Sequence, residues 1–175
     1  MTKRLLHNAQ VIDPEAGTIT RADIRIENGL ITQVSQSPLS ANPNEHSVDC
    51  HNKYLAPGII DIGVKVCEPG ERHKESFKSA GLAAAAGGIT TMVTRPDTTP
   101  AIDSPETLEF IARRANQATP VNVIPMAALT KGRNGREMSE IGFLMDAGAI
   151  AFTDCDHVVS NPKVFARALS YACAL

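Results

Sequence analysis

From Tyr54 onward, short β-branched or apolar runs alternate with helix-patterned stretches, and this alternation constrains the fold more than any other feature of the chain. Ile59 to Val66 reads as a strand covered on both faces, followed by a helix over Ser76 to Ala86 that Gly87-Gly88 closes. Ile89 to Thr94 is the next strand. Ser104 is a good N-cap with Pro105 at the first helical position, and Leu108, Ile111, Ala112 and Ala115 form one apolar stripe. Val121 to Met126 predicts a third strand, Glu137 to Ala147 a helix, "GAIAFTD" a fourth strand, and a last helix starts near Pro162. Such a succession of strand-helix units defines an α/β protein. Nothing in it resembles G-x-G-x-x-G or a P-loop at a strand-to-helix turn. A β/α barrel needs eight units and typically about 250 residues, so the stretch reads as the first half of an incomplete barrel. Two open sheet edges and an uncovered apolar face then favour self-association into a homo-oligomer.

Before Tyr54 the pattern is β. "LLHNAQVID" is one strand, and Asp23 to Glu27 and Leu30 to Ser35 flank Asn28-Gly29, a pair that accepts the positive φ a tight hairpin requires. Ser37 to Ser47, polar with two prolines, reads as an exposed loop. The expected organisation is an N-terminal β segment over residues 1–54 and the first part of a barrel over 55–175.

Composition excludes several classes of function. Seventeen basic against nineteen acidic residues leave a formal net charge of −2 with no basic run, which disfavours nucleic acid as a partner. The start, "MTKRLLHNAQVIDPE", has too few apolar residues for a signal-peptide core, and no apolar run approaches membrane-spanning length, so a cytoplasmic location without membrane contact is expected. Cys50, Cys67, Cys155 and Cys173 lie far apart without a C-x-x-C pair and read as reduced thiols.

The segment "PGIIDIGVKVCEPG", with "EPGERHKE", "AAAAGGITT", "RPDTTPAIDSPE" and "ALTKG" at their spacings, resembles dihydroorotase of the long bacterial type, in the amidohydrolase superfamily, from about Asn8 to Leu175. The resemblance covers about the first two fifths of that family's length. It implies an N-terminal β-sandwich segment followed by four β/α units of a TIM-type amidohydrolase barrel. It also implies a zinc-bound hydroxide that attacks a cyclic amide, with ligands converging at the C-terminal ends of the strands.

Against that pattern the first strand is altered. The family's two metal-binding histidines and its substrate-binding arginine fall at Gly63, Lys65 and Cys67, and its substrate-binding asparagine falls at Asp97. A carboxylate at Asp97 repels a substrate carboxylate where an amide donates a hydrogen bond. Asp154, a metal ligand in the family, and Asp61 are retained. His7, His46, His51, His73 and His157 occupy none of the ligand positions. Strand alternation puts Lys65 on the face of Asp61 and Gly63, and two readings of it stand: an ammonium that replaces the metal and neutralises Asp61 or Asp154, or tolerated drift. Asp154 reads as a strand-end capping carboxylate rather than a ligand, Cys67 as an inert thiol, and His73 as a loop-ordering residue. Lys131 and Arg133 lie at the functional face but read equally as solvated charge, and His157 with Asp154 is a weak metal pair.

Two functions follow from the resemblance. One is a catalytically inactive dihydroorotase homologue of pyrimidine biosynthesis that supports aspartate transcarbamoylase structurally and needs no cofactor. The alternative is an active dihydroorotase, or a hydantoinase- or allantoinase-like cyclic amidase, that uses zinc in an altered shell.

Overall fold

The computed structural model describes residues 3–175, which divide into two compact units, one up to Pro57 and one over Gly58–Leu175. In the first, β1 (Lys3–Asp13) pairs antiparallel with β2 (Thr18–Glu27), and β2 pairs antiparallel with β3 (Leu30–Ser35). The short β4 (His46–Asp49) and β5 (Tyr54–Leu55) both join β1 in parallel, giving one five-stranded sheet. Asn28 and Gly29 take φ of 53° and 81°, so the expected hairpin is present. Leu5, Ala9, Ala22 and Ile24 are buried.

Two charged residues organise this unit. Buried Asp23 accepts hydrogen bonds from the Asn8 and Leu39 backbone N–H groups at 3.0 and 2.8 Å, holding the β1 irregularity and the long connection together. Arg25 donates to Glu45 Oε1 and the Ser40 carbonyl, each at 2.8 Å. The Ser37–Ser47 stretch is therefore pinned, and its last two residues belong to β4 rather than to a free loop.

The second unit carries a parallel sheet of β6 (Ile59–Val64), β7 (Ile89–Thr94) and β8 (Asn122–Pro125), in that order. The first crossover contains α1 (Phe77–Ala86), whose N-cap Ser76 forms a reciprocal capping box with Ser79 and so lies just outside the helix. Small residues Ala80, Gly81 and Ala84 make its buried face, which lets the helix lie close to its neighbours. The second crossover contains α2 (Pro105–Ala118), capped by Ser104 and burying Leu108, Ile111 and Ala115. With Val66, Phe77, Met92, Ile102, Ala127 and Leu144 these residues form the core.

The later elements depart from expectation. "GAIAFTD" does not build a full fourth strand; it meets the sheet at one parallel bridge, Ala127 to Phe152. The helix expected from Glu137 is α3 (Ile141–Asp146), because the residues before it are bound elsewhere. Lys131 N–H donates to the Glu137 carbonyl, Met138 bridges Thr130, and the Ser139 N–H and hydroxyl donate to Leu129 and Ala128 carbonyls. The chain ends in α4 (Pro162–Ala172), which starts where expected, with Asn161 as its N-cap. Ile59, Ile60 and Ile62 of β6 remain more than half exposed. No helix among the described residues is long and apolar enough to cross a membrane.

Candidate functional site

In a parallel β/α sheet the loops after the strands gather at one end, and in this unit the chemistry-bearing side chains gather there. β6 stops at Val64, earlier than the expected Val66, because the chain leaves the sheet at a bulge. Its register shifts between Ile62 and Val64, with Gly63 at φ +94°. The bulge breaks side-chain alternation. Asp61 lines a hollow with Glu75, Ala80 and Ala84 of the α1 side, whereas Gly63 lines a different, open concavity of about 540 Å³ with Arg95, Met126, Thr153, Cys155 and Asp156. Asp61 and Gly63 therefore do not share one site, contrary to the alternation argument.

Lys65 also finds a different partner from the two expected. Its Nζ lies 3.0 Å from Asp97 Oδ2, the same oxygen that the Arg95 guanidinium reaches at 3.0 Å. The Asp97 side chain is only 3% exposed, so its charge depends on these two cations. Hydrogen bonding and attraction from Asp97 hold the Lys65 ammonium above its ordinary pKa, against some desolvation. Neither Asp61 nor Asp154 forms an ion pair among the described residues. Two of the positions expected to be degenerate, Lys65 and Asp97, are thus joined directly.

The network continues across the strand ends. Arg95 Nη2 lies 3.9 Å from Asp156 Oδ1, and Arg133 Nη2 lies 2.6 Å from the same oxygen. Arg133 also donates to the Asp154 carbonyl, and His157 Nδ1 sits 2.8 Å from the Arg133 carbonyl. The Cys155 side chain raises the Arg95 pKa most; burial opposes it, and Asp97 and Asp156 add to the rise. Lys131 instead pairs with Glu137 at 2.5 Å, and His73 is exposed in the loop after β6.

Asp154 is buried and satisfied by protein. Oδ1 accepts from the Thr130 N–H at 2.9 Å and Oδ2 from the Thr130 hydroxyl at 2.5 Å. Thr130 Oγ1 in turn accepts from Gly135 N–H at 2.9 Å. The carboxylate ties the loop after β8 to the segment after Phe152. Cys67 is a free, half-buried thiol whose carbonyl accepts from Glu71 N–H in a turn. Among the described residues no group of three or more His, Cys, Asp or Glu side chains converges to hold a metal ion.

Glu68, which the sequence reading passed over, anchors this end of the unit. Its carboxylate accepts from the Phe77 N–H at 2.9 Å and Arg114 Nε at 2.8 Å, joining the β6 loop to the start of α1 and to α2. Arg95 and Thr130 were missed too. Arg95 carries a legible signal, a cation directly after the β7 strand and two residues before Asp97. Thr130 carries none, because its role arises from a residue 24 positions away.

The fold places the molecule in a class. It is similar to the L-hydantoinase of Arthrobacter aurescens, with a TM-score of 0.76 at 23% identity over 87% of this chain and 32% of that one. It is also similar to a D-hydantoinase from Thermus sp., with a TM-score of 0.63 at 24% identity over 82% of this chain and 30% of the other. At these identities the likeness is one of fold. A family model described as "Dihydro-orotase-like" matches residues 52–175, and the chain belongs to that family. Among its relatives are the dihydroorotase of Syntrophotalea carbinolica, 38% identical over 97% of this chain, and that of Geobacillus thermodenitrificans, 38% identical over 92%. The chain spans 38–40% of the length of these relatives.

The zinc that this family implies does not fit the residues that this chain supplies. Gly63 has no side-chain donor, Lys65 places a cation there, and both oxygens of Asp154 are taken by Thr130. Zinc requires neutral imidazoles, thiolates or free carboxylates.

Proposed function

We propose that this chain is part of a dihydroorotase-like protein of pyrimidine biosynthesis that does not hydrolyse dihydroorotate and instead serves structurally, in the cytoplasm, by assembling with aspartate transcarbamoylase. In this reading the N-terminal sheet is one layer of a β-sandwich, and the parallel units are the beginning of a TIM-type barrel. The exposed Ile59, Ile60 and Ile62 of the first barrel strand are covered by the rest of the complete protein, which associates as a homo-oligomer.

The observation that supports it is the ion pair of Lys65 with Asp97. Replacing two neutral ligands by glycine and lysine removes the donors a hydrolytic metal needs, and Lys65 is then engaged by the carboxylate at a former substrate-binding position. These two changes compensate each other in charge. A framework kept together with chemistry removed is what selection for assembly rather than turnover leaves. The likeness to hydantoinases concerns the fold alone and does not favour the cyclic-amidase alternative.

The test uses the full-length protein, with folding checked by circular dichroism. Hydrolysis of dihydroorotate, and its formation from carbamoyl aspartate, are assayed with and without added zinc. No turnover is expected in either direction. Zinc-dependent turnover that Asp154→Ala abolishes refutes the inactive reading. Co-elution with aspartate transcarbamoylase in size-exclusion chromatography is expected, and independent elution refutes the partner.

A further inference from the structure

We propose that the charged centre at the strand ends is a metal-independent clamp, in which Lys65, Arg95 and Arg133 bind Asp97 and Asp156 and thereby lock four separate segments while excluding a divalent cation. The segments are the chain after β6, the chain after β7, the turn after β8 and the loop after the Phe152 bridge. Side chains join them through Lys65–Asp97 and Arg95–Asp97 at 3.0 Å, Arg133–Asp156 at 2.6 Å and Arg95–Asp156 at 3.9 Å.

The burial pattern makes Asp97 the hub. Its side chain is 3% exposed, both cations meet at Oδ2, and the buried Oδ1 has no hydrogen-bond partner among the described residues. All compensation of that buried charge therefore passes through one oxygen. A buried carboxylate stripped of its cations is strongly unfavourable, whereas a half-exposed lysine stripped of its carboxylate returns to water. The pair is consequently asymmetric, and loss of Lys65 is felt through Asp97.

The same arithmetic excludes metal. Lys65 and Arg95 meet Asp97, Arg133 meets Asp156, and Thr130 donates to both oxygens of Asp154, so a divalent ion at this centre competes with a protein donor or cation at every carboxylate. This inference goes beyond catalytic silence, because an inactive protein is free to keep a structural metal or to have no clamp.

Full-length wild type, Lys65→Met, Lys65→Arg, Asp97→Asn and the Lys65→Met/Asp97→Asn double variant are compared by thermal unfolding at low and high salt. Zinc chloride and EDTA are tested on the wild type. The clamp predicts that Lys65→Met lowers the midpoint, Lys65→Arg restores most of it, and the double variant loses less than the sum of the two single losses. It predicts a smaller Lys65→Met effect at high salt and no shift with zinc or EDTA. Strictly additive variants overturn the clamp. A midpoint raised by zinc or lowered by EDTA overturns the exclusion of metal. Neither outcome depends on turnover, so failure of this inference is separable from failure of the functional proposal.

Discussion

Replacing Glu68 tests how the β6 loop is fastened to the helices. Glu68 is 6% exposed, with Oε2 on the Phe77 N–H at 2.9 Å and Oε1 on Arg114 Nε at 2.8 Å. Arg72 Nε lies 3.6 Å from Oε1 but is 65% exposed, so its share is small. Glu68→Ala leaves the Phe77 N–H, in the first turn of α1, without its acceptor, which costs about 1–3 kcal/mol. Arg114 is 31% exposed and regains water, so its loss adds only about 1 kcal/mol. The expected total is about 2–4 kcal/mol, read as a lower urea midpoint of the full-length protein by far-UV circular dichroism. Glu68→Gln keeps an acceptor for Phe77 and should lose about half as much.

The pH dependence has a definite sign. Burial alone raises the Glu68 pKa, but hydrogen bonds from Arg114 and the Phe77 N–H, together with the Arg114 and Arg72 charges, bring it below its ordinary value. A depressed folded-state pKa contributes stability that is present above the unfolded value and is lost as pH falls through the folded one. The gap between wild type and Glu68→Ala should therefore narrow on acidification below the ordinary glutamate range. A variant within about 0.5 kcal/mol of wild type at neutral pH, or a gap that widens in acid, refutes the assignment of Glu68 as a buried anchor.

Two further substitutions probe the same unit by urea unfolding. Thr130→Val removes the hydroxyl between Asp154 Oδ2 and the Gly135 N–H and should cost about 2–4 kcal/mol, since both groups lose a partner in a buried site. Leu108→Ala, at a fully buried position of α2, should cost about 2–5 kcal/mol through lost burial and the cavity left behind.

Much of the molecule is determined locally and was legible in the sequence. Ser104 caps its helix because its side-chain oxygen reaches an N–H three residues on, and Asn28-Gly29 turns because those residues tolerate positive φ. The order of strands and helices follows from apolar periodicity, and the loss of ligand-type residues at Gly63 and Lys65 is visible in the residues themselves. What those residues do in space was decided by the tertiary structure. Sheet register converts Gly63 into a bulge that separates Asp61 from the concavity, and pairing of the 129–131 backbone with 137–139 delays α3 to Ile141. Lys65 chooses Asp97, 32 positions away, rather than Asp61 or Asp154, because β6 and β7 run side by side and bring their ends together. Asp154 is meanwhile consumed by Thr130. Residue type sets which charges exist, but partner choice depends on distance and burial across strands, and those arise only when the chain has folded.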